Sequence, residues 1–94
     1  MKIHGKHILH EFKVGHSDSW EALKSWLQEV EKAEWKNFHE VRDKYGSASP
    51  LGKNIVVFNI RGNRYRLETK INYQYQIVLI KRIGTHSEYD KWYK

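Results

Sequence analysis

At 94 residues the chain has room for one modest core, and its formal net charge of +6 makes a polyanion, nucleic acid first, the natural class of partner. The lack of cysteine excludes disulfides, thiolate chemistry and Cys-containing zinc sites, so the fold depends on packing alone, as suits a reducing cytoplasm. The N-terminus has no long apolar run, which argues against a signal peptide, and no membrane span is expected.

Met1 to His4 reads as a short edge strand. In HILHEF, Ile8, Leu9 and Phe12 fall at helical spacing and Gly15 offers a stop, which predicts a helix from about Gly5 to Val14. His4, His7 and His10 spread over about 120° of that helix, wider than the i, i+4 placement of a metal site. They read as surface histidines, and no metal or cofactor is expected. His16 and His39 sit at element ends without a motif.

The stretch SDSWEALKSWLQEVEKAEW is the clearest helix. Trp20, Leu23, Trp26, Leu27, Val30 and Ala33 recur every three or four residues and mark one apolar face. Ser17 or Asp18 is placed to cap it, and Asp18 and Glu21 have capping-box spacing. Asn37 caps a third helix that buries Phe38, Val41 and Tyr45 and ends at Gly46. SASPLGKN is a loop.

Three strand-like runs follow, IVVFNI, RYRLETKI and QYQIVLIKRI. RGN joins the first two as a tight turn, with Gly62-Asn63 suited to positive φ, and NYQ turns between the second and third. Alternation sends Tyr65, Leu67, Thr69 and Ile71 to the core and Arg64, Arg66, Glu68 and Lys70 to the other face. On the first strand Val56, Phe58 and Ile60 form one set. On the third, Ile77, Leu79, Lys81 and Ile83 share one face, and Val78, Ile80 and Arg82 the other. That strand, apolar on both faces, reads as central. The expected fold is α+β, with N-terminal helices on one face of a small antiparallel sheet. The second face is expected to be open and basic.

Two constellations carry chemistry. The first is the ladder Arg64, Arg66, Lys70, whose forks and point charge suit phosphate oxygens. Lys53, Arg61, Lys81 and Arg82 strengthen a phosphate-binding reading over a merely solvated face. The second is the C-terminal stretch GTHSEYDKWYK. Its run Thr85-His86-Ser87-Glu88 fits a capping box, predicting a short helix that mounts His86 and Tyr89 on one side. Histidine moves protons near neutrality, and tyrosine donates a proton or stacks on a base. Phosphate-binding Gly loops, zinc-protease motifs and nucleophile elbows are missing. RNA cleavage suits such a small basic chain, because the 2′-hydroxyl is the nucleophile and the protein need only align it, move protons and stabilise charge.

VVFNIRGNRYRL followed by VLIKRIGTHSEYDK resembles the HigB family of toxins, within the RelE-like superfamily. The most specific pieces are F-N-I-x-G-N-x-Y-R-L, from Phe58 to Leu67, and G-T-H-x-E-Y-D, from Gly84 to Asp90. The helical half agrees, so the resemblance covers nearly the whole chain. It implies one RelE-like toxin domain over residues 1–94 and a cytoplasmic, metal-independent mRNA endoribonuclease that generally acts at the ribosome. It also implies a HigA-like helix-turn-helix antitoxin, with DNA contacted only through that partner.

Within the shared motifs the catalytic candidates are Arg66, for the transition-state phosphate, His86, for proton transfer, and Tyr89, as a second proton-transfer group or a stacking platform. Lys53, Arg61, Arg64, Lys70, Lys81 and Arg82 are the candidates for RNA contact, and Lys53 or Lys81 is an alternative base. Asp90 either orients His86 or pairs with a lysine, the latter being the plainer expectation. Asn63 serves the turn. Two other classes fit the same residues: a non-catalytic RNA- or ribosome-binding module, and a protein-binding domain with the aromatics as anchors.

Overall fold

The computed structural model describes residues 1–93. In chain order the elements are β1 (Lys2–His4), α1 (Lys6–Gly15), a 3-10 turn (Ser17–Ser19), α2 (Trp20–Lys32), α3 (Phe38–Lys44), β2 (Ser49–Pro50), β3 (Ile55–Ile60), β4 (Tyr65–Asn72), β5 (Ile77–Thr85) and α4 (His86–Trp92). The strands form one sheet in the order β1-β5-β4-β3-β2. The antiparallel meander β3-β4-β5 is the one expected from the sequence. β1 adds to it in parallel along β5, and the residues Ser49–Pro50, expected as loop, pair with β3. β5, read as central from its two apolar faces, is indeed flanked on both sides, by β1 and β4, and β4 lies at the middle of the sheet. No helix among the described residues is long and apolar enough to cross a membrane.

The core lies between the sheet and the first three helices. From α2 it takes Leu23, Trp26, Leu27 and Val30, the buried part of the expected stripe. Val56, Phe58, Ile60, Tyr65, Leu67, Ile71, Val78 and Ile80 meet them from the sheet. Trp26 packs edge-on against Phe58 with ring centroids 5.3 Å apart, a favourable arrangement for aromatic rings. Asn37 caps α3 as anticipated, its side chain accepting from the Glu40 N–H at 3.1 Å.

Several local expectations are corrected. α2 has no side-chain N-cap bond, because the 3-10 turn precedes it and Asp18 is drawn away to the β3–β4 turn. In that turn the positive φ values fall on Arg61 and Gly62, one residue earlier than Gly62-Asn63. On β5 the register shifts between Glu68 and Thr69, leaving Lys81 as an extra residue. A bulge of this kind reverses the alternation beyond it. Ile83 therefore joins the core beside Leu67, while Arg82 turns to the opposite face beside Glu68. The second sheet face is not simply open, since α4 lies across its upper half.

Candidate functional site

α4 is held where it is by the backbone of β5 and by its own cap. The Thr85 hydroxyl accepts from the Glu88 N–H at 3.2 Å, and the Glu88 carboxylate accepts from the Thr85 N–H at 2.8 Å, which completes the capping box read from T-x-x-E. The Thr85 N–H bond, first, holds the Glu88 carboxyl below its ordinary range. The His86 N–H then donates to the Arg64 carbonyl at 3.0 Å, tying the start of α4 to the start of β4. Beneath the helix sits Gly84. A Cβ there would lie 2.9 Å from the Trp92 ring and 3.2 Å from Glu88 Cβ, so only glycine lets α4 approach this closely.

A second fastening lies at the helix's other end. Arg82 and Glu68 face each other across β4 and β5 and pair at 2.5 Å. The guanidinium also lies 4.3 Å from the Trp92 ring centroid and 5.4 Å from that of Tyr93. The Glu68 side chain is only 9% exposed, so this is a largely desolvated carboxylate with its counter-ion roofed by two aromatics. Arg82, an expected RNA contact, is thus paired with Glu68 and packed against α4. Trp92 and Tyr93 are the aromatic contacts that hold this end of α4 to β5.

The same helix brings two of the three catalytic candidates together. Arg66 projects from β4 under α4, its guanidinium 5.4 Å from the Tyr89 ring centroid. It is 8% exposed, and its Nη1 donates to the Asn63 carbonyl at 2.8 Å and more weakly to that of Tyr65. No carboxylate among the described residues pairs with it. A buried guanidinium is normally compensated by an anion, because desolvating the charge is costly. His86 stands at the exposed first turn of α4, its Nδ1 3.3 Å from Asp90 Oδ2. Asp90 therefore faces the histidine rather than a lysine. With Nδ1 so engaged, Nε2 is the nitrogen left to exchange a proton.

A network that the sequence did not signal flanks this site. Asp18 receives the Arg61 guanidinium, the Arg64 guanidinium at 2.9 Å and the Tyr65 hydroxyl. The Tyr65 hydrogen bond, foremost, and the two arginines hold the Asp18 carboxyl below its usual range, and the same bond raises Tyr65. Asp18 and the β3–β4 turn are more than forty positions apart in the chain, so no local pattern could have paired them. Two of the six expected RNA contacts, Arg61 and Arg64, are thus held by a carboxylate while remaining exposed. Lys53, Lys70 and Lys81 are exposed and have no ion-pair partner among the described residues. Nor does any group of three His, Asp or Glu side chains among those residues converge as a metal would require.

The family model for HigB toxin, the RelE-like toxic component of a toxin-antitoxin system, matches residues 19–92. The chain belongs to the HigB toxin family. The matched span runs from the end of the 3-10 turn through α4, so it includes Arg66, the capping box and the Arg82–Glu68 pair, and leaves β1 and α1 outside. No curated protein matches the chain. As a HigB toxin it is one half of a toxin–antitoxin pair, and an antitoxin is its partner. The α+β architecture, with helices on one face of a small sheet and a short C-terminal helix, is that of a RelE-like toxin.

Proposed function

We propose that this HigB toxin is a metal-independent endoribonuclease that cuts mRNA at the ribosome. The observation that supports it most is Arg66, a buried guanidinium with no carboxylate among the described residues and with Tyr89 beside it. A phosphate is the anion that such a group lacks, and two of its nitrogens, Nε and Nη2, make no hydrogen bond among those residues. HigB and RelE-like toxins generally cleave mRNA, which agrees with this reading.

In the proposed reaction Arg66 binds the scissile phosphate and stabilises the charge that develops on its oxygens. His86 Nε2 takes the proton of the adjacent 2′-hydroxyl, whose oxygen bonds to phosphorus as the P–O5′ bond breaks. The departing 5′-oxygen takes a proton from Tyr89 or from water, leaving a 2′,3′-cyclic phosphate and a 5′-hydroxyl. Asp90 orients the His86 ring. Arg61, Arg64, Lys53, Lys70 and Lys81 contact RNA. The toxin acts in the cytoplasm, its antitoxin is a HigA-like helix-turn-helix protein, and DNA is reached only through that antitoxin.

Expression without antitoxin, followed by mapping of mRNA 5′ ends, tests the proposal. New ends should appear within translated messages. Arg66→Ala should lower cleavage by roughly 10²–10³-fold, and His86→Ala by a factor of about 10² or more. If both variants remain fully toxic, the site is misassigned. Ribosome footprints without cut products would favour a non-catalytic binding module.

A further inference from the structure

The face that α4 half covers continues, uncovered, toward the β4–β5 turn. Four residues beyond Arg66 on β4 is Lys70, on the same side of the sheet by alternation and opposite Leu79. Around them Asn54, Asn72, Ile77 and Leu79 line a depression of about 230 Å³. An apolar cavity of about 150 Å³ already holds a benzene ring, so this one has room for a planar base. Its floor is aliphatic, and Leu79 is 40% exposed there. Its rim is polar. The Asn72 side-chain oxygen is taken by the Tyr75 N–H, leaving its amide NH₂ free among the described residues. Asn54 sits at a φ of 64° with its carbonyl bonded to the Ile71 N–H, so its backbone is fixed while its side chain makes no hydrogen bond among the described residues.

The surrounding charge points to a nucleic acid. Lys70 lines the depression, Lys53 precedes Asn54, and Lys81 lies exposed two residues beyond Leu79, at the bulge. These are the three expected RNA contacts that no carboxylate among the described residues neutralises. A groove between α1 and β5, by contrast, has no lysine on its wall and is bordered by Glu11. Tyr93, 52% exposed and beside Arg82, stands over the row between Arg66 and Lys70 and offers a ring on the way.

We propose that Asn54, Lys70, Asn72, Ile77 and Leu79 form a nucleobase subsite for single-stranded RNA running from Arg66 along the α4 face. The subsite rests on the ribonuclease reading for its RNA but not for its chemistry. Arg66 and Lys70 are separated by about 13 Å of strand. That is roughly four nucleotides if the bases stack, and fewer if the strand is extended. The base read here is therefore a neighbour of the cut, not the nucleotide at the cut.

The test is direct binding, measured by fluorescence anisotropy, of short single-stranded RNA made uncleavable by 2′-O-methyl groups, with and without one abasic position. Leu79→Ser, which leaves the charge unchanged, should weaken the intact strand by about tenfold when the base opposite the subsite is present and leave the matching abasic strand nearly unaffected. Lys70→Gln should weaken both strands alike and lower the salt slope by about one. RNA binding by the unaltered protein with no cut products from mRNA on translating ribosomes would end the ribonuclease reading and leave the subsite standing. The proposal is overturned if the unaltered protein binds no RNA, or if Leu79→Ser weakens both strands equally or neither. It is also overturned if that variant loses only neutralisation by antitoxin, which would make this face a protein interface.

Discussion

Replacing Gly84 with alanine tests whether the placement of α4 governs the site. The added methyl would meet the Trp92 ring at 2.9 Å and Glu88 at 3.2 Å. Carbon atoms rest best at about 3.5–4.0 Å, so Trp92 must retreat by roughly 0.6–1.1 Å. It is not free to swing, because Arg82 stacks on it and Glu68 holds Arg82. The helix must lift instead. Overpacking of this kind costs about 1–3 kcal/mol, and a domain this size loses roughly 4–8 °C of melting temperature per kcal/mol. α4 contributes no fully buried residue, so the loss should fall on its docking and leave the main core folded. Thermal melts followed by circular dichroism should show the smaller Tm with an unchanged spectrum. Hydrogen exchange should quicken in α4 while β4 stays protected. Growth arrest on expression without antitoxin should weaken together with the Arg66–Tyr89 contact. A Gly84→Ala protein with unchanged Tm, unchanged α4 exchange and full toxicity would refute the reasoning.

Arg82→Ala removes the partner of a nearly buried carboxylate and should cost about 2–4 kcal/mol in urea denaturation, short of the full penalty because Arg82 is itself partly exposed. Adding Glu68→Gln should recover part of that loss, a non-additivity measurable in a double-mutant cycle. Asp18 has a folded-state pKa below its ordinary value, so its bonds stabilise the fold above the usual carboxylate range and are lost as pH falls through the lowered value. Asp18→Asn should therefore lower Tm at pH 7, with the gap to the unaltered protein closing in acid. Thr85→Ala removes the α4 cap and should cost about 0.5–2 kcal/mol, seen as faster amide exchange confined to the start of α4.

Much of the site was legible where it depends on neighbours in the chain. T-x-x-E gave the α4 cap and strand alternation put Arg66 and Lys70 on one face, whereas the lysine expected for Asp90 gave way to His86 one turn earlier. Arg82 was misplaced because a single extra residue, Lys81, changes the phase of β5, and nothing in QYQIVLIKRI marks it. The open basic face was misjudged for a related reason: the C-terminal helix folds back over it, which depends on Gly84 being small in a place only the fold reveals.

The sequence by itself determined the class of the protein, the order of its elements, the apolar stripe of α2 and the residues able to handle a phosphate. These follow from short-range periodicity and capping, which are local interactions. Tertiary structure alone decided which of those residues are available. It set Asp18 against two arginines over forty positions away, paired Arg82 with Glu68 beneath Trp92, and left Arg66 buried with no carboxylate among the described residues. Charge pairing and desolvation depend on distance in space, and that distance is fixed only once the sheet has closed its register and α4 has docked.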